Sequence, residues 1–465
     1  MGVRFFPAIV ALVLVAISSV PWRAAADDQE SAKDGFRTAR REISSRLHHR
    51  DTIERVAAVR DLHNYPTVDA VKLLLSVGFK DESPEVRTAA YSTLLDFKDD
   101  EAIARYLFST MSKDTRRGAA SPTALPVLAV LMASKVPDVE RDTATYLERQ
   151  AATRDGLVLI ESLADEIGNH GQAEDVALLE KLIDLPSFAH EFGLRRAVVQ
   201  SLIKIHATES VGVLIGLLEK IQGEIRADIV HHLNDVTGEQ LGMESAGWQD
   251  WWEDNEKTFR FAATPQRKDP NNPAPSGDRH GGDGRSGDGR TTSMYYGLSI
   301  YAQKLVFIID TSGSMTGLRL MAAKRELMHA IDGLPADTQF SILAFNSQVY
   351  PWQRQLVPAS ASMKRSAARW VEMLAVGSHT ASYDALEAGL RFDAEALYFL
   401  TDGEPHGGKV TAPAEIVTLI TRANYTRRLS IYAIGVGVGA PGGIFDEFLS
   451  TLAKQNWGVY RRVDQ

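Results

Sequence analysis

The stretch Leu305-Val306-Phe307-Ile308-Ile309-Asp310-Thr311-Ser312-Gly313-Ser314-Met315 limits what the chain around it can become. Five consecutive apolar residues have the length of a strand buried on both faces, the kind found in the middle of a parallel sheet. Such a strand needs strands beside it and helices above and below it, so it calls for an α/β domain. In open α/β sheets, ligands sit beyond the carboxyl ends of the strands. Asp310 is delivered to that edge. Gly313 is expected to let the next turn tighten, so that Ser312 and Ser314 face the Asp310 carboxylate. One carboxylate and two hydroxyls make a partial cage of hard oxygens, suited to Mg²⁺ or Mn²⁺. The plainer alternative is an Asp-Ser-Gly turn that only closes a core strand.

The residues that follow supply the rest of such a domain. After a short strand near Tyr295, helical spacing runs from Leu318 to Ile331, and Phe340–Phe345 reads as a strand with a shorter one near Val349. Helices are expected over about 360–374 and 383–390, then a strand over 396–400, a helix over 413–422 and a strand over 429–436. A helix over 444–454 and a final strand near Val459 complete the set. Strands alternating with helices specify a doubly wound, mainly parallel sheet, here with one short antiparallel strand. Within it, Leu397-Tyr398-Phe399-Leu400-Thr401-Asp402 repeats the strand-then-acid arrangement, and Gly377-Ser378-His379-Thr380 places a threonine in a loop.

D-x-S-x-S closing a hydrophobic strand, followed by that threonine and that second acid, resembles the metal-ion-dependent adhesion site of von Willebrand factor type A domains. The order and number of elements resemble a complete domain of this type over 293–465, with the Rossmann-like sheet that implies. The resemblance implies that the hydroxyls of Ser312, Ser314 and Thr380 contact a divalent cation. It also implies that Asp310 and Asp402 act directly or through water, and that one coordination position stays open for a partner's Glu or Asp. His379 stands where the family usually has Gly. The rim candidates that would set specificity are His379, Ser382, Tyr383, Glu404, His406 and Lys409. The function implied is protein binding, not catalysis, coupled in some relatives to movement of the last helix. Two alternatives stay open: a metal-assisted hydrolase with Glu404 or His406 as base, and a metal that only stabilises the fold.

Two glycine-rich stretches invite a nucleotide reading. Gly403-Glu404-Pro405-His406-Gly407-Gly408-Lys409-Val410 fits G-x-x-x-x-G-K, but Val410 stands where a phosphate loop needs Ser or Thr for Mg²⁺. Gly435-Val436-Gly437-Val438-Gly439 lacks the dinucleotide spacing and reads as a strand end and turn.

The front half, 27–262, has a helical pattern. Arg55-Val56-Ala57-Ala58-Val59 lies over Arg87-Thr88-Ala89-Ala90-Tyr91 at a shift of 32 residues, and Arg195-Arg196-Ala197-Val198-Val199 is a third copy. Paired amphipathic helices at this period stack into a solenoid, and these resemble short HEAT-type repeats. The adjacent pairs His48-His49 and His231-His232 read as solvated surface residues, because neighbours in a helix do not share a face. Trp248, Trp251 and Trp252 do share one, and read as a cap on the last repeat; a carbohydrate or peptide platform is the alternative.

Residues 1–26 read as a signal peptide: a cation at Arg4, an apolar run to Val20, then Ala24-Ala25-Ala26 before Asp27. The expectation is a bacterial protein exported to the periplasm or cell exterior, with no membrane insertion after cleavage. An uncleaved anchor is the alternative. Residues 263–292, rich in Pro, Gly and Asp, lack apolar side chains to build on and read as a flexible linker. A net charge of −9 argues against nucleic acid as a partner. The absence of cysteine removes thiol chemistry, disulfides and zinc-thiolate sites. The expected partners are a protein offering an acidic side chain to the metal and a second protein on the solenoid.

Overall fold

The computed structural model describes residues 20–114, 123–261 and 293–464. Residues 1–19, most of the expected signal, and 263–292, the expected linker, lie outside the described residues. The chain divides into two compact units, 1–146 and 147–465, so the boundary falls inside the helical region and not at the linker.

The first unit is helical: α1 (Val20–Arg46), α2 (Thr52–Asp61), α3 (Val68–Ser76), α4 (Pro84–Asp96), α5 (Glu101–Asp114), α6 (Ala124–Ala133) and most of α7 (Pro137–Ala151). The second unit opens with α8 (Arg154–His170), α9 (Val176–Ile183), α10 (Phe192–Lys204), α11 (Thr208–Leu217), α12 (Gly223–Thr237) and α13 (Ser245–Asn255). The repeated arginine has one job in all three copies. Arg55, Arg87 and Arg195 each stand one turn into their helix and reach back to carbonyls of the turn before it. Arg55 donates to the oxygens of His49 (3.1 Å) and Arg50 (3.2 Å), Arg87 to Asp81 (2.7 Å) and Glu82 (2.8 Å), and Arg195 to Ala189 (2.9 Å). A charged donor thereby satisfies carbonyls that the loop leaves unpaired. The tryptophans close α13 onto the helices before it. Trp248 is fully buried, and Trp251 and Trp252 pack with Phe259. The histidine reading changes: His231 packs edge-on against Tyr301, and His232 buries Nε2 without a partner among the described residues. Burial, with His206 nearby, pushes His232 down to about 4.

The sheet region of the second unit comprises β1 (Met294–Tyr295), β2 (Leu298–Ser299), β3 (Lys304–Asp310), α14 (Leu318–Gly333), β4 (Gln339–Phe345), β5 (Val349–Pro351) and β6 (Val357–Pro358). It continues with α15 (Ala361–Glu372), α16 (Ser382–Gly389), β7 (Ala396–Thr401), α17 (Pro413–Asn424), β8 (Ser430–Val436), α18 (Ile444–Gln455) and β9 (Tyr460–Val463). The main sheet runs β5-β4-β3-β7-β8-β9, with β6 also on β4. The strands β4, β3, β7, β8 and β9 are parallel. Both β5 and β6 are antiparallel to β4, so there are two short antiparallel strands where one was expected. Alternate residues of β3 feed opposite cores: Leu305, Phe307 and Ile309 one, Val306 and Ile308 the other. That two-sided burial is what the unbroken apolar run encodes.

Helices α8, α10 and α12 are docked on the amino-terminal edge of this sheet. Phe192 of α10 packs against the core that holds Val306 and Ile308. Arg196, fully buried, donates to the Arg428 carbonyl (2.7 Å) and Ser430 Oγ (2.9 Å) and pairs with Asp228 (3.1 Å). Glu224 accepts from Tyr432 Oη (2.7 Å) and Ser430 Oγ (3.1 Å). Arg428 forks onto both oxygens of Asp165, with Glu161 at 3.8 Å. A Cβ on Gly193 would collide with the Thr426 carbonyl, which shows how closely the surfaces fit.

Candidate metal centre

The opposite, carboxyl edge of the sheet gathers four of the five expected ligands into one hydrogen-bonded chain. Asp310 ends β3, fully buried. Its Oδ1 accepts from the Ser312 N–H (2.7 Å) and its Oδ2 from Thr401 Oγ1 (2.6 Å). The turn closes as a single 3₁₀ step over Gly313–Met315 and brings Ser312 Oγ within 3.1 Å of Ser314 Oγ. Ser314 Oγ donates to Asp402 Oδ1 (2.7 Å), and Arg319 Nη1 donates to Asp402 Oδ2 (2.9 Å). The buried Asp310 carboxyl is pushed up to about 6, because burial disfavours its charged form. Ser314 is exposed, so the cluster is open to solvent on that side.

Gly313 itself takes an ordinary backbone conformation with room for a Cβ, so it is not what tightens the turn; Gly317, at φ 79°, is the residue that needs glycine. Thr380, the fifth expected ligand, reaches the same edge on its loop without a side-chain hydrogen bond to the other four among the described residues. That loop is fixed from both sides. The Gly377 N–H donates to the Thr311 carbonyl (2.7 Å) and the Ala381 N–H to the Asn346 carbonyl (2.8 Å), while Thr380 and His406 exchange backbone hydrogen bonds. A Cβ on Gly377 would overlap the Asn346 side chain. His379 takes φ 56°, the left-handed region that explains why glycine suits this position and that histidine tolerates better than most residues. Its ring lies parallel to that of His406, with centroids 5.9 Å apart.

Among the rim candidates, His379, Glu404 and His406 line a shallow cavity of about 490 Å³. Ser382 is buried, its Oγ unpartnered among the described residues. Lys409 is committed to Glu387 (2.6 Å), and its own N–H donates to Asp384 (2.9 Å). The loop that mimics a phosphate-binding sequence is thus tied to carboxylates. Sequence reasoning missed Thr401, Arg319 and Asn346. Thr401 was the most visible of them, a hydroxyl closing an otherwise apolar strand directly before Asp402.

Among the described residues, no three His, Cys, Asp or Glu side chains are grouped to hold a metal. Any cation at this edge must therefore draw on hydroxyls. The donors present fit that demand: two carboxylates and two serine hydroxyls, all hard oxygens, as Mg²⁺ or Mn²⁺ prefers. Two buried acids, of which Arg319 reaches Asp402 alone, also favour an added cation.

Residues 303–462 match the family model of the von Willebrand factor type A domain. Inter-alpha-trypsin inhibitor heavy chain H4 of Homo sapiens is 28% identical over 182 residues, covering 36% of this chain and 19% of its own length. Heavy chain H3 of Mesocricetus auratus is 27% identical over 180 residues, covering 36% and 20%. The chain thus spans about a fifth of the length of these relatives. Among solved structures, a von Willebrand factor type A protein from Catenulispora acidiphila shares 24% identity over 35% of this chain and 38% of its own, at a TM-score of 0.31. BatB, a conserved hypothetical protein from Bacteroides thetaiotaomicron, shares 20% over 35% and 90%, at 0.28.

Proposed function

We propose that the type A domain at 303–462 is a metal-dependent protein-binding module. Asp310, Ser312, Ser314, Thr380 and Asp402 would hold Mg²⁺ or Mn²⁺, and the cation would capture an acidic side chain of a partner. The observation that carries this reading is the chain of oxygens from Asp310 through Ser312 and Ser314 to Asp402, buried at its base and open at Ser314. The bound ion would supply a localised positive charge beside Asp310 and Asp402, where Arg319 is the basic side chain in contact. The chain's own residues do the remainder. Thr401 and the Ser312 N–H orient Asp310, Arg319 orients Asp402, and the Asn346 contacts hold the Thr380 loop in place. We read the site as one that binds and does not catalyse, in an exported protein whose helical repeats offer a second surface.

Calorimetric titration of Mg²⁺ and Mn²⁺ into the full chain tests this directly. One saturable site is expected in the wild type, lost in Asp310→Ala, Thr380→Ala and Asp402→Ala. Wild-type affinity in Asp310→Ala would place the ion elsewhere and end the proposal.

A further inference from the structure

Of the eight large exposed apolar side chains among the described residues, five stand on elements that begin or end at the edge carrying the oxygen cluster: Leu318, Met321, Met373, Val376 and Ile444. They range from 40% to 80% exposed, although single exposed apolar residues elsewhere would need no explanation. These are joined. Leu318 and Met321 lie one turn apart on α14 and share a face. Lys324 continues that stripe, and its Nζ donates to the carbonyls of Glu372 (2.9 Å) and Leu374 (2.6 Å), which bracket Met373 and hold it beside α14. The same loop passes Val376 and docks Gly377 on Thr311, next to Ser312. Across the cluster, Arg319 lies against Gly437, the turn that leads to Ile444.

We propose that these five side chains form an apolar collar around the metal centre, and that the partner is a protein segment whose acidic residue is flanked by apolar ones. The inference rests on the metal-dependent reading above and narrows it. An acid alone would be gripped by the cation; the collar adds desolvated area around that contact, where hot spots of binding form. Two of the five are methionines, whose flexible thioethers repack around differing apolar shapes. A hydroxyl-rich glycan or a nucleic acid would leave such a collar bare, and the latter would also meet a chain of net charge −9. A rim of Leu, Met, Val and Ile suits a peptide chain with one carboxylate and aliphatic neighbours.

The test is selection of a random peptide display library on the full chain in Mg²⁺, with elution by chelator, beside a direct Mg²⁺ titration. Eluted peptides should carry Asp or Glu with Leu, Ile, Met or Phe beside it. Their binding should fall at least tenfold in Met321→Glu and in Met373→Glu, while Mg²⁺ affinity stays within twofold. Ile53→Glu, at an equally exposed apolar residue in the first unit, should change nothing. Chelator-eluted peptides with an acid but polar neighbours, or binding indifferent to both methionine variants, would overturn the collar and leave the metal reading standing. Loss of Mg²⁺ binding by the wild type itself would remove both.

Discussion

At the amino-terminal edge of the sheet, Arg196, Glu224, Arg428 and Glu161 are as buried as the leucines around them, and each faces an opposite charge: Arg196 and Glu224 pair between α10 and α12, and Arg428 meets Glu161 across the contact between helices and sheet. At the carboxyl edge, Asp310 and Asp402 are equally buried, yet they meet hydroxyls and the one guanidinium of Arg319. Removing a charge from water costs several kcal/mol unless another charge or a set of dipoles replaces the water. The helices supply part of that replacement at one edge, through Arg196 beside Glu224 and Arg428 beside Glu161. At the other, the proposed cation would supply the part that hydroxyls and Arg319 leave over. Within one sheet, then, an internally paired edge marks where the protein holds itself together. An edge with unbalanced acids marks, on the proposed reading, where it would meet a cation.

Arg196→Ala tests the paired edge hardest. It strips the partner from Glu224 and Asp228 and the donor from Ser430, so urea unfolding of the full chain should register a loss of about 3–5 kcal/mol. Mg²⁺ affinity of the same variant should stay within twofold of wild type. A loss below about 1 kcal/mol, the range of an exposed ion pair, would make the contact superficial and dissolve the contrast. Gly193→Ala should cost about 1–3 kcal/mol, because its Cβ meets the Thr426 backbone carbonyl, which cannot swing away, besides the Glu161 carboxylate. Gly216→Ala, in helix α11 with open space around the position, should instead gain about 0.5–1 kcal/mol. Equal effects at the two glycines would mean that the docking surface is loose.

The pH dependence sharpens the comparison further. Burial pushes Glu161 up to about 8 and Glu224 up to about 7, above the ordinary 4.5. Above about pH 4.5 the folded chain therefore keeps protons that the unfolded chain has released. Stability should fall as pH rises from about 4.5 to about 8 and level off beyond, with each group contributing a slope of at most about 1.4 kcal/mol per pH unit. Glu161→Gln should flatten the segment between about pH 7 and 8, read from urea midpoints at each pH. An unchanged slope would exclude Glu161 as its source.

The carboxyl edge was far more legible in the sequence than the amino-terminal one. The run Leu305–Ile309 states its two-sided burial by its own composition, and Asp310, Ser312 and Ser314 follow within a single turn. The helices and longer strands from 304 to 463 each show a local period of their own and were readable in order; β6, two residues long, has no period to show and went unread. Arg196 and Arg428 gave no such signal. They are 232 residues apart, and a buried arginine is spelled like an exposed one. Arg195-Arg196 even aligns with the repeat, where only Arg195 does the repeated job. Arg196 is aimed at a sheet that has not yet appeared in the chain, and no period can announce that.

The docking of α8, α10 and α12 on the edge farthest from the oxygen cluster also has a mechanical side. A pull on a partner held at the carboxyl edge would run lengthwise along β3, β7 and β8 and pass into the helices through Arg428 with Asp165, and Ser430 with Glu224. Strands loaded along their length carry the strain across many ladder hydrogen bonds at once, instead of opening one bond at a time as when an edge strand is peeled away. The proposed grip and the mount would lie at opposite ends of one sheet, and tension between them would be borne in shear.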